Sequence, residues 1–202
     1  MQHEAEYDHL NHTKTLPVVV IKDPYTWMTS MCRHPYSMEW QQDPTHCPNL
    51  VHYKANTSNK MEDEFMPVTT SIVYPKGAPI RTTHFKSMIH LWNEYYEQYL
   101  LKSHDFPLVA IRFEDLLFHT KDVVTEVCLC AGGSMESTFR YVAESAKAPD
   151  SVHEGSSGLT TAIILYGNAT KRREPYLERD LAYSKDTLSP QLMEIFNYKF
   201  LE

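Results

Sequence analysis

Two short, unbroken apolar runs constrain this chain more than any other feature: LPVVVI (Leu16 to Ile21) and PLVAIRF (Pro107 to Phe113). Continuous runs, as opposed to alternating ones, suit strands buried on both faces, as in a parallel sheet covered by helices. Helical patterns lie between and after them. In THFKSMIHLWNEYYEQYLLK, Phe85, Met88, Ile89, Trp92, Tyr95, Tyr96, Tyr99 and Leu100 recur at three- and four-residue spacings, which predicts a helix over Thr83 to Lys102 with one wide apolar face. TKDVVTEVCLCAGG predicts a second, starting near Thr120 and stopped by Gly132-Gly133. SMESTFRYVAESAK predicts a third, capped by Ser134, and LSPQLMEIF a short one with Pro190 in its first turn. Strands alternating with helices make α/β the expected class.

With 202 residues and 42% hydrophobic composition the chain can bury one substantial core, so a single domain over 1–202 is expected. No segment approaches the roughly 20 apolar residues that cross a bilayer. The first residues, MQHEAEYDHLNHTK, have neither the basic start nor the apolar stretch of a signal peptide. A formal net charge of −7 argues against general nucleic-acid binding, while the local basic clusters MCRH and KRRE can still build a pocket for a small anion. Between Arg33 and Arg81, clusters such as QQDPTHCPN and YPKGAP predict a long irregular insertion at about 35–81, either a functional lid or a variable surface loop.

The first apolar run leads into chemistry. After Ile21 come Lys22 at the strand's carboxyl edge, Pro24 to fix the turn, and YTWMTSMCRH as a helix up to Pro35. That places a helix N-terminus, with unpaired N–H groups and the positive end of its dipole, beside a lysine at the edge where α/β sheets bind ligands. Ser30 falls in the second turn, where its hydroxyl can share an anion with Lys22, and Arg33 lies one turn further on. The alternative is a surface lysine and a serine bonded to its own helix.

VIKDPYTWMTSM resembles the 3′-phosphate-binding element of the sulfotransferases: a strand, then Arg, Asp or Asn, Pro, and a Ser eight positions after the Arg. Lys22 stands at the Arg position and Ser30 at the Ser position. PLVAIRFEDLLFHTKDVVTEVCLCAGG resembles the family's later strand and the helix after it. LWNEYYEQYL and GNATKRREPYLERDLAYSKDTLSPQLMEIFNY resemble the carboxyl-terminal part of carbohydrate-type and algal members. The resemblance implies a P-loop NTPase-like α/β fold and transfer of a sulfuryl group from 3′-phosphoadenosine 5′-phosphosulfate to a hydroxyl acceptor, a carbohydrate above all. It implies that Lys22 and Ser30 hold the donor's 3′-phosphate, that Phe113 lies near the adenine, and that Lys171, Arg172 and Arg173 close over the 3′-phosphate. Independently of the resemblance, the N-x-S/T triplets at Asn11, Asn56 and Asn168 slightly favour the Golgi or secretory lumen over the cytoplasm.

The chain departs from that pattern in two places. Lys22 keeps the charge of the usual Arg but not its planar fork. The family's Gly-containing loop around the 5′-phosphosulfate has no counterpart, since no glycine precedes Gly77. The chain is therefore expected to be a truncated, carboxyl-terminal version of the fold, either inactive by itself or a non-catalytic binding module. His3, His9 and His12 lie in the region of the family's general base without matching it. Gly155-Ser-Ser-Gly158 lacks the Lys-Ser/Thr ending of a P-loop and reads as a loop before a helix.

Cys32-x-His34 and His46-Cys47 hold zinc-ligand residue types at a spacing that fits no common zinc pattern. Cys32 and Cys47 can instead form a disulfide in an oxidising compartment. Asn11, Asn56 and Asn168 begin N-x-S/T triplets, which accept glycans only in the secretory pathway. Glu114 and Asp115 read as structural, capping the next helix or pairing with Arg112, and no nucleophile triad is visible.

Overall fold

The computed structural model of the chain describes residues 14–43, 45–54, 64–74, 81–102, 106–141 and 158–202. In chain order the elements are β1 (Val18–Ile21), α1 (Pro24–Arg33), β2 (Met38–Trp40), β3 (Val51–Lys54), β4 (Glu64–Pro67), β5 (Thr70–Val73), β6 (Thr82–Phe85), α2 (Met88–Leu100), β7 (Val109–Arg112), α3 (Phe113–Phe118), α4 (Thr120–Cys130), α5 (Leu159–Tyr166), α6 (Ala169–Arg173), α7 (Glu178–Thr187) and α8 (Pro190–Ile195). The class is α/β, with helices and small sheets.

The two apolar runs pair in parallel, Val18 with Val109 through Ile21 with Arg112. Burial on both faces is not what they achieve. Val18 and Val20 are 43% and 42% exposed, whereas Ile21 is fully buried. Among the described residues this sheet has two strands, and only one face of β1 meets the core.

That core forms where α1 and α2 pack with the carboxyl-terminal helices. Asp23 caps α1 by accepting from Thr26 N at 2.9 Å, and Pro24 supplies a preset φ at the first turn. Tyr25 and Met28, three apart, then bury one face of α1 against Ile89, Trp92, Leu188 and Leu192. Ring donors take up the carbonyls at the end of β1. Tyr96 Oη donates to Val20 O (3.1 Å), Tyr198 Oη to Ile21 O (3.3 Å) and Trp92 Nε1 to Lys22 O (3.1 Å). These bonds fix the backbone from which Lys22 projects.

Helix α2 begins at Met88, capped by Ser87, not at Thr83. Thr82–Phe85 form β6 instead, because their alternating side chains pair antiparallel with β5. The region expected to be an irregular insertion also holds regular structure: β2 and β5, which join β6 in a three-stranded antiparallel sheet of order β2-β5-β6, and the antiparallel pair β3-β4. Strands of three or four residues are too short to stand out from the Pro, Asn and Ser around them. Helix α4 stops as expected at Gly132, whose φ of 77° only glycine adopts without cost. Residues 134–141 form no helix, and the rest of the helix expected after Ser134 lies outside the described residues.

Cys32, on the last turn of α1, is bonded to Cys47. The bridge ties the helix that carries Ser30 to the loop before β3. Closing a loop of sequence separation 15 contributes about 3 kcal/mol in the chain-entropy account. Cys47→Ser is therefore expected to lower stability by about that amount, and dithiol reductant to lower the wild-type melting temperature but not the variant's, as read by thermal unfolding.

Candidate functional site

Lys22, Ser30 and Phe113 come together at the carboxyl edge of the parallel pair. Lys22 Nζ donates to Ser30 Oγ at 2.6 Å, and Ser30 Oγ donates in turn to Thr26 O at 3.0 Å. The Phe113 ring centroid lies 4.8 Å from Nζ. Position 113 directly follows β7, so the parallel register that sets Ile21 beside Arg112 also sets Lys22 beside Phe113. Burial lowers the Lys22 ammonium below the ordinary lysine range. The Tyr166 phenol opposes that shift, and the Arg33 charge adds to it.

Two further groups complete the cluster. Tyr166 Oη accepts from Lys22 Nζ at 3.1 Å and from Arg33 Nη2 at 3.4 Å, and its ring lies 4.2 Å from Nζ. Phe113 and Tyr166 meet edge to face at 5.4 Å, so the ammonium sits between two aromatic rings. Burial by itself would raise the Tyr166 phenol. The Lys22 charge, hydrogen bonds with Ser30 and Lys22, and Arg33 outweigh it and hold the phenol below its usual value. Tyr166 is absent from the sequence reading because it lies 144 positions from Lys22, and IILYG carries no motif that would single it out.

The start of α1 is not the open anion site that its sequence suggested. Asp23 is 4% exposed and its carboxylate fills that place, accepting from Thr26 N and Thr26 Oγ1, both at 2.9 Å. Arg172 neutralises it with a two-pronged contact, Nε to Oδ1 at 3.0 Å and Nη2 to Oδ2 at 2.5 Å, and its guanidinium lies over the Tyr25 ring. Beside the flank of α1 two cations, Lys22 and Arg33, converge instead on Tyr166 Oη. Arg173 turns away from the cluster to Glu178 and to Glu202 O. Lys171 is exposed and, with Thr26, Thr29, Arg33, Tyr166 and Arg172, lines a cavity of about 30 Å³ beside the cluster.

Glu114 holds the edge together, accepting from Asp23 N at 3.0 Å and from Tyr198 Oη at 2.9 Å, while Asp115 lies 3.5 Å from Arg112. Asp115 thus pairs with Arg112 as expected, whereas Glu114 serves the Asp23 N–H and the Tyr198 hydroxyl in place of capping a helix. Of Gly155-Ser-Ser-Gly158 only Gly158 is among the described residues, where it precedes α5. His3, His9, His12, Asn11 and Asn56 lie outside them. Asn168 is exposed and caps α6 by accepting from Lys171 N at 3.2 Å. No helix of the described residues is long and apolar enough to cross a membrane.

Comparison of the chain with protein-family models, with curated proteins and with solved structures finds no match in any of the three. Whatever is inferred about function thus comes from the residues and their geometry. A larger groove, about 630 Å³, runs along β7 between α4 and α8, lined by Val109, Ile111, Val123, Val127 and Phe196. It contains none of the site residues expected from the sequence.

Proposed function

We propose that this chain is a sulfotransferase-like protein on a P-loop NTPase-like fold, whose Lys22 site holds the 3′-phosphate of 3′-phosphoadenosine 5′-phosphosulfate. The reaction it serves is transfer of the sulfuryl group to a hydroxyl acceptor, a carbohydrate in the reading we favour. One observation carries the proposal: Lys22 and Ser30, eight residues apart, meet at 2.6 Å beside the aromatic ring that follows the second strand. An ammonium, a hydroxyl and the nearby Arg33 guanidinium are the donor types that bind a phosphate dianion through charge-assisted hydrogen bonds. Phe113 offers a face to a purine. The Cys32–Cys47 bridge suits an oxidising lumen.

In such a reaction Lys22 and Ser30 orient the donor, and the sulfuryl group's charge needs separate amides and cations. Residues 1–76 contain no glycine with which to build the usual loop for that second task. The same fact favours a second reading, a non-catalytic module that binds the nucleotide without turnover.

Calorimetric titration of a nucleotide series tests the shared part of both readings. Adenosine 3′,5′-bisphosphate is expected to bind at least tenfold more tightly than adenosine 5′-monophosphate, because only the former presents a 3′-phosphate to Lys22. Equal affinities contradict the assignment. Transfer of labelled sulfate from the donor to a carbohydrate panel then separates the enzyme from the module.

A further inference from the structure

The Lys22 cluster has the right donors for an anion, and Tyr166 already takes them up. Both of its cations converge on a single oxygen, Tyr166 Oη, at 3.1 and 3.4 Å. The adjoining cavity, about 30 Å³ with Tyr166 in place, holds a water or two. A tetrahedral oxyanion bridging Lys22, Ser30 and Arg33 needs the space that the phenol now fills.

The helix carrying that phenol is lightly held. None of the described side chains of α5 is buried, and Ile163 and Ile164 are 39% and 63% exposed. Among the described elements it packs chiefly against α3 and α6, and its last residue is followed directly by Gly167. Few buried apolar contacts mark the elements that open at low free-energy cost. Lys22, Ser30 and Arg33 hold the phenol below its usual value against the effect of burial, which fits a group that stands in for an anion.

We propose that Tyr166 is an internal plug: its hydroxyl occupies the seat of the ligand's phosphate, and α5 swings out when an anionic ligand enters. The site then exists in a closed state, with Lys22 and Arg33 satisfied by the phenol, and an open state that the ligand selects. Apparent affinity is reduced by the fraction of molecules that are open, so weakening the plug tightens binding. This inference rests on the reading that the Lys22 site binds a phosphate.

The test uses adenosine 3′,5′-bisphosphate with the wild type, Tyr166→Phe and Lys22→Ala, measuring affinity by calorimetry and hydrogen exchange of the α5 amides. Removing one hydrogen-bond acceptor from two cations is expected to tighten binding to Tyr166→Phe by roughly tenfold. Ligand is expected to speed exchange in α5 of the wild type. Weaker binding by Tyr166→Phe together with slower α5 exchange makes Tyr166 a ligand contact and overturns the plug, while leaving the Lys22 site intact. Unchanged affinity in Lys22→Ala, or no binding by any of the three proteins, overturns the site and the plug together.

Discussion

Asp180→Ala is expected to cost about 3–5 kcal/mol, enough to leave a protein of ordinary stability close to unfolding. Asp180 is fully buried in the first turn of α7, and its two oxygens serve three chain segments. Oδ1 accepts from Leu50 N at 2.9 Å and Val51 N at 3.4 Å, while Oδ2 accepts from Leu177 N at 3.2 Å and lies 3.2 Å from His46 Nε2. His46 in turn reaches Asp43 at 3.5 Å and neighbours the bridged Cys47. One carboxylate thus joins α7, the start of β3 and the disulfide loop. Alanine leaves buried N–H groups without an acceptor and the imidazole without its inner carboxylate. Urea denaturation is the measurement, with Asp180→Asn, which retains an acceptor oxygen, expected to lose less. A cost below about 1 kcal/mol for alanine contradicts the joint described here.

Lys22→Ala is expected to weaken binding of adenosine 3′,5′-bisphosphate by about 10- to 150-fold, the range set by the loss of one hydrogen bond to a charged group. Stability is expected to move the other way. Burial lowers the folded-state pKa of Lys22 below its ordinary 10.5. Between those two values the unfolded chain binds more protons than the folded one, so this residue's contribution to stability rises with pH across that window. Below the window the cost of burying the charge is present in full. The variant is therefore expected to melt no lower than the wild type below that window and to lose the wild type's gain in stability as pH rises through it. Loss of affinity with unchanged or improved melting marks a residue retained for binding. Loss of both marks a packing role.

The sequence made the local parts of this picture readable. Lys22, Pro24 and Ser30 lie within one strand-to-helix unit, so their spacing brings Lys22 and Ser30 together, though not Asp23 into the helix start, and Gly132 and Pro190 mark helix ends by backbone preference. Long-range choices left no such trace. Arg172 is spoken for by Asp23 across 149 positions, and Tyr166 fills the lysine's pocket across 144. Neither partner is identifiable from a basic run or an apolar helix. The strand β6 was hidden inside a helical pattern because Phe85 fits both periods, and only pairing with β5 decides between them. The exposure of Val18 and Val20 was hidden too, since an apolar run does not say how many strands share its sheet.

The Lys22 cluster, and not the groove along β7, is where the nucleotide's 3′-phosphate is expected to bind. A crystal structure of the chain with adenosine 3′,5′-bisphosphate tests it most directly. The expected result is 3′-phosphate oxygens within about 3 Å of Lys22 Nζ and Ser30 Oγ, with Tyr166 Oη displaced from its present contact. Nucleotide bound in the groove between α4 and α8, with the Lys22–Ser30–Tyr166 contacts unchanged, contradicts it.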